Sequence, residues 1–226
     1  MHRRATAAAG AAREQADILR AMKIAIVDYG AGNLRSVARA VAHVGFEAGV
    51  TSDPHDVEAA DAVILPGVGA AADTMRNLRE HKMVEPVREY IASGRPFFGV
   101  CMGQQALLTL SEEGGEHPCL DVIHGRVKKL PGGQKVPHMG WNQVRQTSEH
   151  FIFREIPDES YFYFVHSYYP EPEDAAVVIG ETEYGVTFAS VLARDNIVAT
   201  QFHPEKSSDM GLQMYRNFLE HAAGRS

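Results

Sequence analysis

A cysteine between two glycines and a histidine far downstream are the residues of this chain best suited to covalent chemistry. Cys101 lies in Phe97-Phe98-Gly99-Val100-Cys101-Met102-Gly103-Gln104-Gln105, where an apolar run stops at Gly-x-Cys-x-Gly and a helix-compatible stretch follows. That is the strand–turn–helix pattern of a nucleophile elbow, with Cys in place of Ser. A nucleophile held at so tight a turn needs neighbours without a Cβ, so that strand and helix can come close. The turn lifts the sulfur above the sheet edge, and the helix N-terminus behind it favours a thiolate. His203 lies in Gln201-Phe202-His203-Pro204-Glu205-Lys206. Around Pro204 alternate side chains can point the same way. Glu205 can then hold one ring nitrogen of His203 while the other faces the thiol. Taken singly, Cys101 reads as a small buried hydrophobe and His-Pro-Glu as a surface turn. Taken together they read as nucleophile, proton carrier and orienting carboxylate. An oxyanion formed at such a site needs backbone N–H donors. Met102, next after the nucleophile, supplies one by elbow geometry. Pro66-Gly67-Val68-Gly69 ends a neighbouring strand and can supply the other, its glycines allowing the peptide to rotate; a plain strand-ending turn is the alternative.

The elements that must position these residues follow from the hydrophobic pattern. Lys23–Asp28, Glu47–Thr51, Ala62–Leu65 and Pro96–Val100 are short apolar runs that predict buried parallel strands. Between them, helical spacing covers Leu34–Val44, Ala71–Arg79 and Met83–Ser93. This alternation implies an α/β fold, a doubly wound mixed sheet flanked by helices, with function at the C-terminal strand ends. After about Gly114 short strands fit Arg126–Lys129, Trp141–Arg145, Tyr161–His166, Ala175–Thr182, Val186–Ala193 and Ile197–Phe202, expected as a partly antiparallel extension of the same core. A helix over Ser208–His221 closes the fold.

The 226 residues, 45% hydrophobic, suffice for one domain over 22–226. A formal net charge of −7 without a long basic run argues against nucleic acid as a partner. No apolar stretch approaches the ~20 residues that cross a bilayer. The 2 cysteines, Cys101 and Cys119, make no disulfide framework, and a cytoplasmic setting suits a working thiol. Residues 1–21 are rich in Ala and Arg, yet carry Glu14 and Asp17 and lack the apolar core of a secretory signal; they are expected to be a disordered extension, with Met22 a candidate start. Gly30-Ala31-Gly32 after a strand could suggest dinucleotide binding, but the third glycine of that fingerprint would fall at Arg35 and is missing, so no cofactor is expected there.

Gly99–Gln105 together with Gln201–Glu205 resembles the class I (triad) glutamine amidotransferases. Three further stretches, Leu65-Pro66-Gly67-Val68-Gly69, Pro137-His138-Met139-Gly140-Trp141-Asn142 and Phe164-Val165-His166-Ser167-Tyr168, narrow the resemblance to the glutaminase subunits of imidazole glycerol phosphate synthase, over Met22 to about Leu219. The resemblance implies hydrolysis of glutamine through a thioester on Cys101, without metal or other cofactor. It implies that Gln105 and Glu113, with backbone at Ser167 and Tyr168, hold the amino-acid end of glutamine; Ser111-Glu112-Glu113 also reads as a solvated helix end. It implies a heterodimer with a (β/α)8-barrel cyclase subunit that uses the ammonia in histidine biosynthesis, the pair acting as a lyase under allosteric control. Asn33, Trp141 and Lys206 would then lie on the face toward that subunit. Trp141 is the only tryptophan, and an interface anchor and a core residue fit it equally.

Two rival readings are another triad glutaminase, or a hydrolase of γ-glutamyl peptides, and a non-catalytic module on the same fold. Pro-His-Met-Gly-Trp-Asn argues against the first, and the intact Cys101, His203 and Glu205 against the second. Residues 1–21 offer no strand or periodic apolar face. A chain starting at Met22 is therefore expected to match the full chain in melting temperature and turnover; a loss of several degrees on truncation would show the segment to be structural.

Overall fold

A computed structural model describes residues 22–30 and 32–224; the extension expected over 1–21 lies outside the described residues. The first strands are β1 (Ile24–Val27), β2 (Ala48–Thr51), β3 (Ala62–Gly67) and β4 (Phe97–Cys101). They alternate with helices α1 (Leu34–His43), α2 (Pro54–Glu58), α3 (Ala71–Glu80) and α4 (Val84–Ala92). The one-turn helix α5 (Met102–Gln105) follows β4 directly. The later strands are β5 (Leu108–Ser111), β6 (His117–Pro118), β7 (Ile123–Lys129), β8 (His138–Gln146), β9 (Ser160–His166), β10 (Tyr168–Pro172), β11 (Val178–Glu183), β12 (Thr187–Arg194) and β13 (Ile197–Thr200). Helix α6 (Ser208–Ala222) closes the order.

Nine strands form one sheet in the order β2-β1-β3-β4-β13-β12-β11-β8-β9. Its first half, through β13, is parallel, and the rest is antiparallel. Successive residues of the parallel strands feed two different apolar clusters. Ile24, Ile26, Ile64 and Phe98 pack with α1 and α6 on one face; Ala25, Val27, Val63 and Phe97 pack with α3 and α4 on the other. Burial on both faces is why these strands read as unbroken apolar runs. The fold class expected from the sequence is thus the one found.

Three local differences have physical causes. The strand region after Gly114 is not all an extension of one sheet: β7 leaves to form a four-stranded sheet in the order β10-β7-β5-β6. In that sheet β7 alternates buried and open positions (Ile123, Gly125, Val127 inward), a one-sided pattern that the shorter Arg126–Lys129 assignment could not reveal. Ala175–Val177 forms a 3₁₀ turn, because Asp174 accepts a hydrogen bond from the Ala176 N–H at 2.9 Å, and the strand begins only at Val178. Helix α2 has its cap written in Asp53-Pro54, the Asp53 side chain accepting from the His55 N–H at 2.9 Å, but its five residues are too few for a periodic signal.

The glycines flanking Cys101 stand against backbone with no room for a side chain. A Cβ on Gly103 would stand 1.9 Å from the Leu65 carbonyl oxygen, and one on Gly99 would stand 2.8 Å from the Gly103 oxygen. Backbone cannot yield as a flexible side chain would. Gly103→Ala should therefore cost about 3 kcal/mol and lower the melting temperature by roughly 6–12 °C. Gly132→Ala, where a Cβ meets nothing within 4 Å, is the control and should leave calorimetric melting unchanged.

Candidate active site

Cys101 ends β4 with φ 54° and ψ −104°, a left-handed conformation unusual for a residue with a Cβ. Strand β3 lies on one side of β4, with Gly67 paired to Cys101. Strand β13 lies on the other, with Thr200 paired to Val100. The chain leaving β13 carries Gln201, Phe202 and His203 past the sulfur. Its anchorage is backbone: the His203 N–H donates to the Tyr163 carbonyl at 3.0 Å. Ser207 ties the same two segments, accepting from the Tyr163 N–H at 2.9 Å and donating to the His203 carbonyl at 2.6 Å. His203 then caps a 3₁₀ turn, Pro204–Lys206, that brings Glu205 back onto the ring.

The His203 Nδ1–H donates to Glu205 Oε1 at 2.8 Å, and both side chains are enclosed. Asn33 Nδ2 also donates to Glu205 Oε1, and the Tyr215 hydroxyl of α6 lies 3.5 Å from Oε2. The other ring nitrogen, Nε2, has no partner. Burial works to lower the His203 pKa, but the neighbouring Cys101 sulfur and the Glu205 carboxylate outweigh it and raise it to about 10. Gln201 Nε2 donates to Cys101 Sγ at 3.7 Å, across 100 residues of sequence. The other thiol, Cys119, is pushed up to about 11 by burial and is protonated at neutral pH.

A cavity of ≈ 300 Å³ opens over the sulfur, lined by Cys101, His203, Met102, Gln105, Glu113 and Tyr168 among others. Val68, Gly69, Ser167 and Lys206 border the same cavity. A larger cleft of ≈ 460 Å³ runs along the β1–β2 edge, but no Cys, Ser or His lines it, so the smaller cavity is the one with chemistry. Among the described residues no group of three or more His, Cys, Asp or Glu side chains converges as metal ligands.

The remaining residues singled out in the sequence fall as follows. Gly67 is buried, and a Cβ there would meet the Tyr29 hydroxyl at 2.2 Å and Met102 Cβ at 2.6 Å. Gly69 has φ +101° with open space around it. Glu113 does not sit at a helix end: it follows strand β5, and its Oε2 accepts from the Ala71 N–H at 2.7 Å, at the start of α3. The Ser167 carbonyl accepts from the Leu130 N–H at 3.0 Å, and the Tyr168 carbonyl from Gln105 Nε2 at 2.8 Å. Trp141 is 52% exposed, so it is no core residue; it meets Tyr163 edge-on at 6.1 Å, and Lys206 Nζ lies 6.0 Å from the same Tyr163 ring. Asn33 is turned inward onto Glu205. Sequence reasoning missed Gln201 and Tyr215, which touch Cys101 and Glu205. Gln201 stands two residues before His203 and could have been suspected from it. Nothing in the local sequence marks Tyr215.

Known proteins resemble this chain in family and in fold. Residues 25–222 match the model of the glutamine amidotransferase class-I family. A relative from Dehalococcoides mccartyi, named imidazole glycerol phosphate synthase subunit HisH, is 49% identical over 201 residues, covering 89% of this chain and 98% of that protein. One of the same name from Moorella thermoacetica is 52% identical over 197 residues, 87% of this chain and 94% of that one. Among solved structures, a glutamine amidotransferase superposes with TM-score 0.69 at 22% identity, over 88% of this chain and 98% of that chain. PurLQS from Thermotoga maritima gives 0.68 at 16% identity, over 88% of this chain and 98% of that chain. These last two likenesses are of fold.

Because the His203 pKa is raised above its unfolded value of ~6.5, the proton it holds stabilises the fold fully below that pH, and the benefit is lost as pH rises through about 10. In urea unfolding, the stability deficit of His203→Asn should be greatest at pH 6.5 and below and shrink up to about pH 10. A deficit that does not change with pH would contradict this charge state.

Proposed function

We infer that this chain, which belongs to the class-I glutamine amidotransferases and within them to the HisH subunits of imidazole glycerol phosphate synthase, hydrolyses the side-chain amide of L-glutamine to glutamate and ammonia for histidine biosynthesis. The observation that carries the reading is the strained Cys101 and His203 at one cavity, with Glu205 holding the far side of the His203 ring. An amide is a poor electrophile, and a thiolate with a covalent intermediate splits the difficult step in two. Cys101 Sγ attacks the amide carbon. His203 Nε2, left unpartnered while Nδ1 is held by Glu205, donates the proton that lets ammonia leave. Water then attacks the γ-glutamyl thioester, returning the thiol and releasing glutamate. The oxyanion of each tetrahedral step is received by the N–H of Met102 and by one from Val68 or Gly69, with Gly67 setting the approach. Glu113 and Gln105, with the Ser167–Tyr168 backbone, take the amino-acid end.

Ammonia set free in water would be protonated and lost, so the reading includes a partner that receives it: a cyclase subunit, proposed as a (β/α)8 barrel in a heterodimer with this chain. Exposed Trp141 and Lys206 meet over the half-buried Tyr163 ring beside the cavity mouth, with Met139 61% exposed on the same strand as Trp141, and this is the face proposed for the partner. Asn33, at the edge of the same region, is proposed to reach it through its hold on Glu205.

Cys101→Ala should abolish glutamine-dependent synthesis by the two-subunit enzyme, by ~10⁶-fold in kcat on the scale of protease triads, and leave ammonia-dependent synthesis intact. Substantial glutaminase turnover in the pure variant would sink the assignment of Cys101. A further expectation concerns control of the oxyanion loop. The free chain should be nearly inactive, and partner plus cyclase ligand should favour a loop in which the missing N–H faces the oxyanion. One such donor is worth ~10²–10³ in rate. Gly69→Ala is the clean probe, since only its φ resists a side chain, whereas a Cβ at Gly67 would collide with Tyr29 and Met102. It should blunt stimulation by cyclase ligand more than partner binding. Equal glutaminase rates for free chain, complex and liganded complex would rule the switch out.

A further inference from the structure

We propose that His138 and His166 form a positioning pair for the glutamine site, two neutral imidazoles in series that hold the Tyr168 carbonyl and, through it, fix which way the Gln105 amide faces. The proposal rests on the functional reading above for its substrate, while its geometry stands apart from that reading. His138 and His166 are opposed residues on β8 and β9, and they are 3% and 6% exposed. The His138 ring is clamped between Tyr184 at 3.9 Å and Phe164 at 4.9 Å, both stacked on it. His166 borders the cavity over Cys101.

The hydrogen bonds leave one consistent pattern of donors and acceptors. The Tyr168 carbonyl can only accept, so His166 donates to it from Nδ1–H at 2.8 Å. A neutral His166 then accepts at Nε2, and the donor is His138 Nδ1–H at 2.9 Å. His138 Nε2 in turn accepts from Asn142 Nδ2, at 3.3 Å. Burial pushes His166 down to about 3 and His138 down to about 4, in keeping with two uncharged rings. A second proton on His166 would set two N–H groups face to face.

The same Tyr168 carbonyl accepts from Gln105 Nε2 at 2.8 Å, and the Gln105 Nε2 group also donates to Gln201 Oε1 at 2.9 Å. Both amide hydrogens of Gln105 are thereby committed. A flipped amide would set oxygen against the Tyr168 oxygen. Its Oε1 is left buried and without a partner, in a residue that lines the cavity. A bare acceptor in such a place suits an ammonium or amide N–H of the substrate. Ordering the amide before substrate arrives favours binding without touching the sulfur chemistry.

The test is glutaminase kinetics of the two-subunit enzyme, with active sites counted by iodoacetamide labelling of Cys101. His138→Phe keeps an aromatic ring between Tyr184 and Phe164 but loses the Nδ1 donor. It should raise KM for glutamine about tenfold, one hydrogen bond's worth, with kcat within about twofold. His138→Asn places an amide N–H where Nδ1 stood and should bring KM back to within about threefold of wild type. His138→Gln puts its amide at the Nε2 position and should not. A wild-type enzyme that turns over glutamine, with KM unchanged in His138→Phe, overturns the pair. Absence of any wild-type glutamine turnover overturns the functional reading instead. Nitrogen-15 NMR of the histidine rings at pH 7 reads the pair without substrate: both rings should carry hydrogen on Nδ1 alone, and an Nε2–H form of His166 overturns the proposal.

Discussion

At Gly103 the first turn of α5 runs so close to β3 that a single methyl group would lie within 1.9 Å of the Leu65 oxygen. That contact makes the rest of the site feasible. It lets the chain reverse immediately after β4, and the reversal forces Cys101 into a left-handed conformation costing of order 1–3 kcal/mol. The cost is met by two clusters of apolar side chains on either face of the sheet. With the sulfur raised at the end of β4, the neighbouring strands can contribute only what lies at their own C-terminal ends. These are the glycine loop after β3 and the His-Pro-Glu turn after β13. The site is thus an outcome of strand order as much as of residue type.

Three enclosed imidazoles near one cavity show how partners, and not residue type, set charge. His203 faces a sulfur and a carboxylate and is raised to about 10. His166 and His138 face a carbonyl, each other and an amide, and are pushed down to about 3 and about 4. Burial penalises the charge on all three alike; only His203 has anions near enough to overcome it. One ring therefore carries a proton and the other two serve as fixed hydrogen-bond joints, the three lying on β8, β9 and the turn after β13.

How much of this could be read in the residues follows the same physics. The parallel strands and long helices were legible because both faces are buried and the apolar runs are continuous. The elbow was legible because the crowding at Gly99 and Gly103 excludes any other residue type. Strands β5, β6 and β10 were not, being two to five residues long and held by pairing, β5 and β10 with β7 and β6 with β5. Glu113 resembled a solvated helix end until β5 placed it on the N-terminus of α3. His138 and His166 stood inside recognisable motifs, but that they meet depends on the β8–β9 register. No local pattern carries that register.

The position of β13 has a consequence for how the molecule comes into being. It is the final strand in sequence, yet it occupies the fifth place of nine in the large sheet, between β4 and β12. Until it is inserted, the sheet is two separate halves, Cys101 has neither His203 nor the Gln201 amide beside it, and no cavity is closed over the sulfur. Insertion of a central strand from far along the chain is a late and non-local event. A ribosome-bound chain that has exposed Cys101 but not β13 therefore holds the cysteine without its site. The capacity to consume substrate arrives only with the completed sheet.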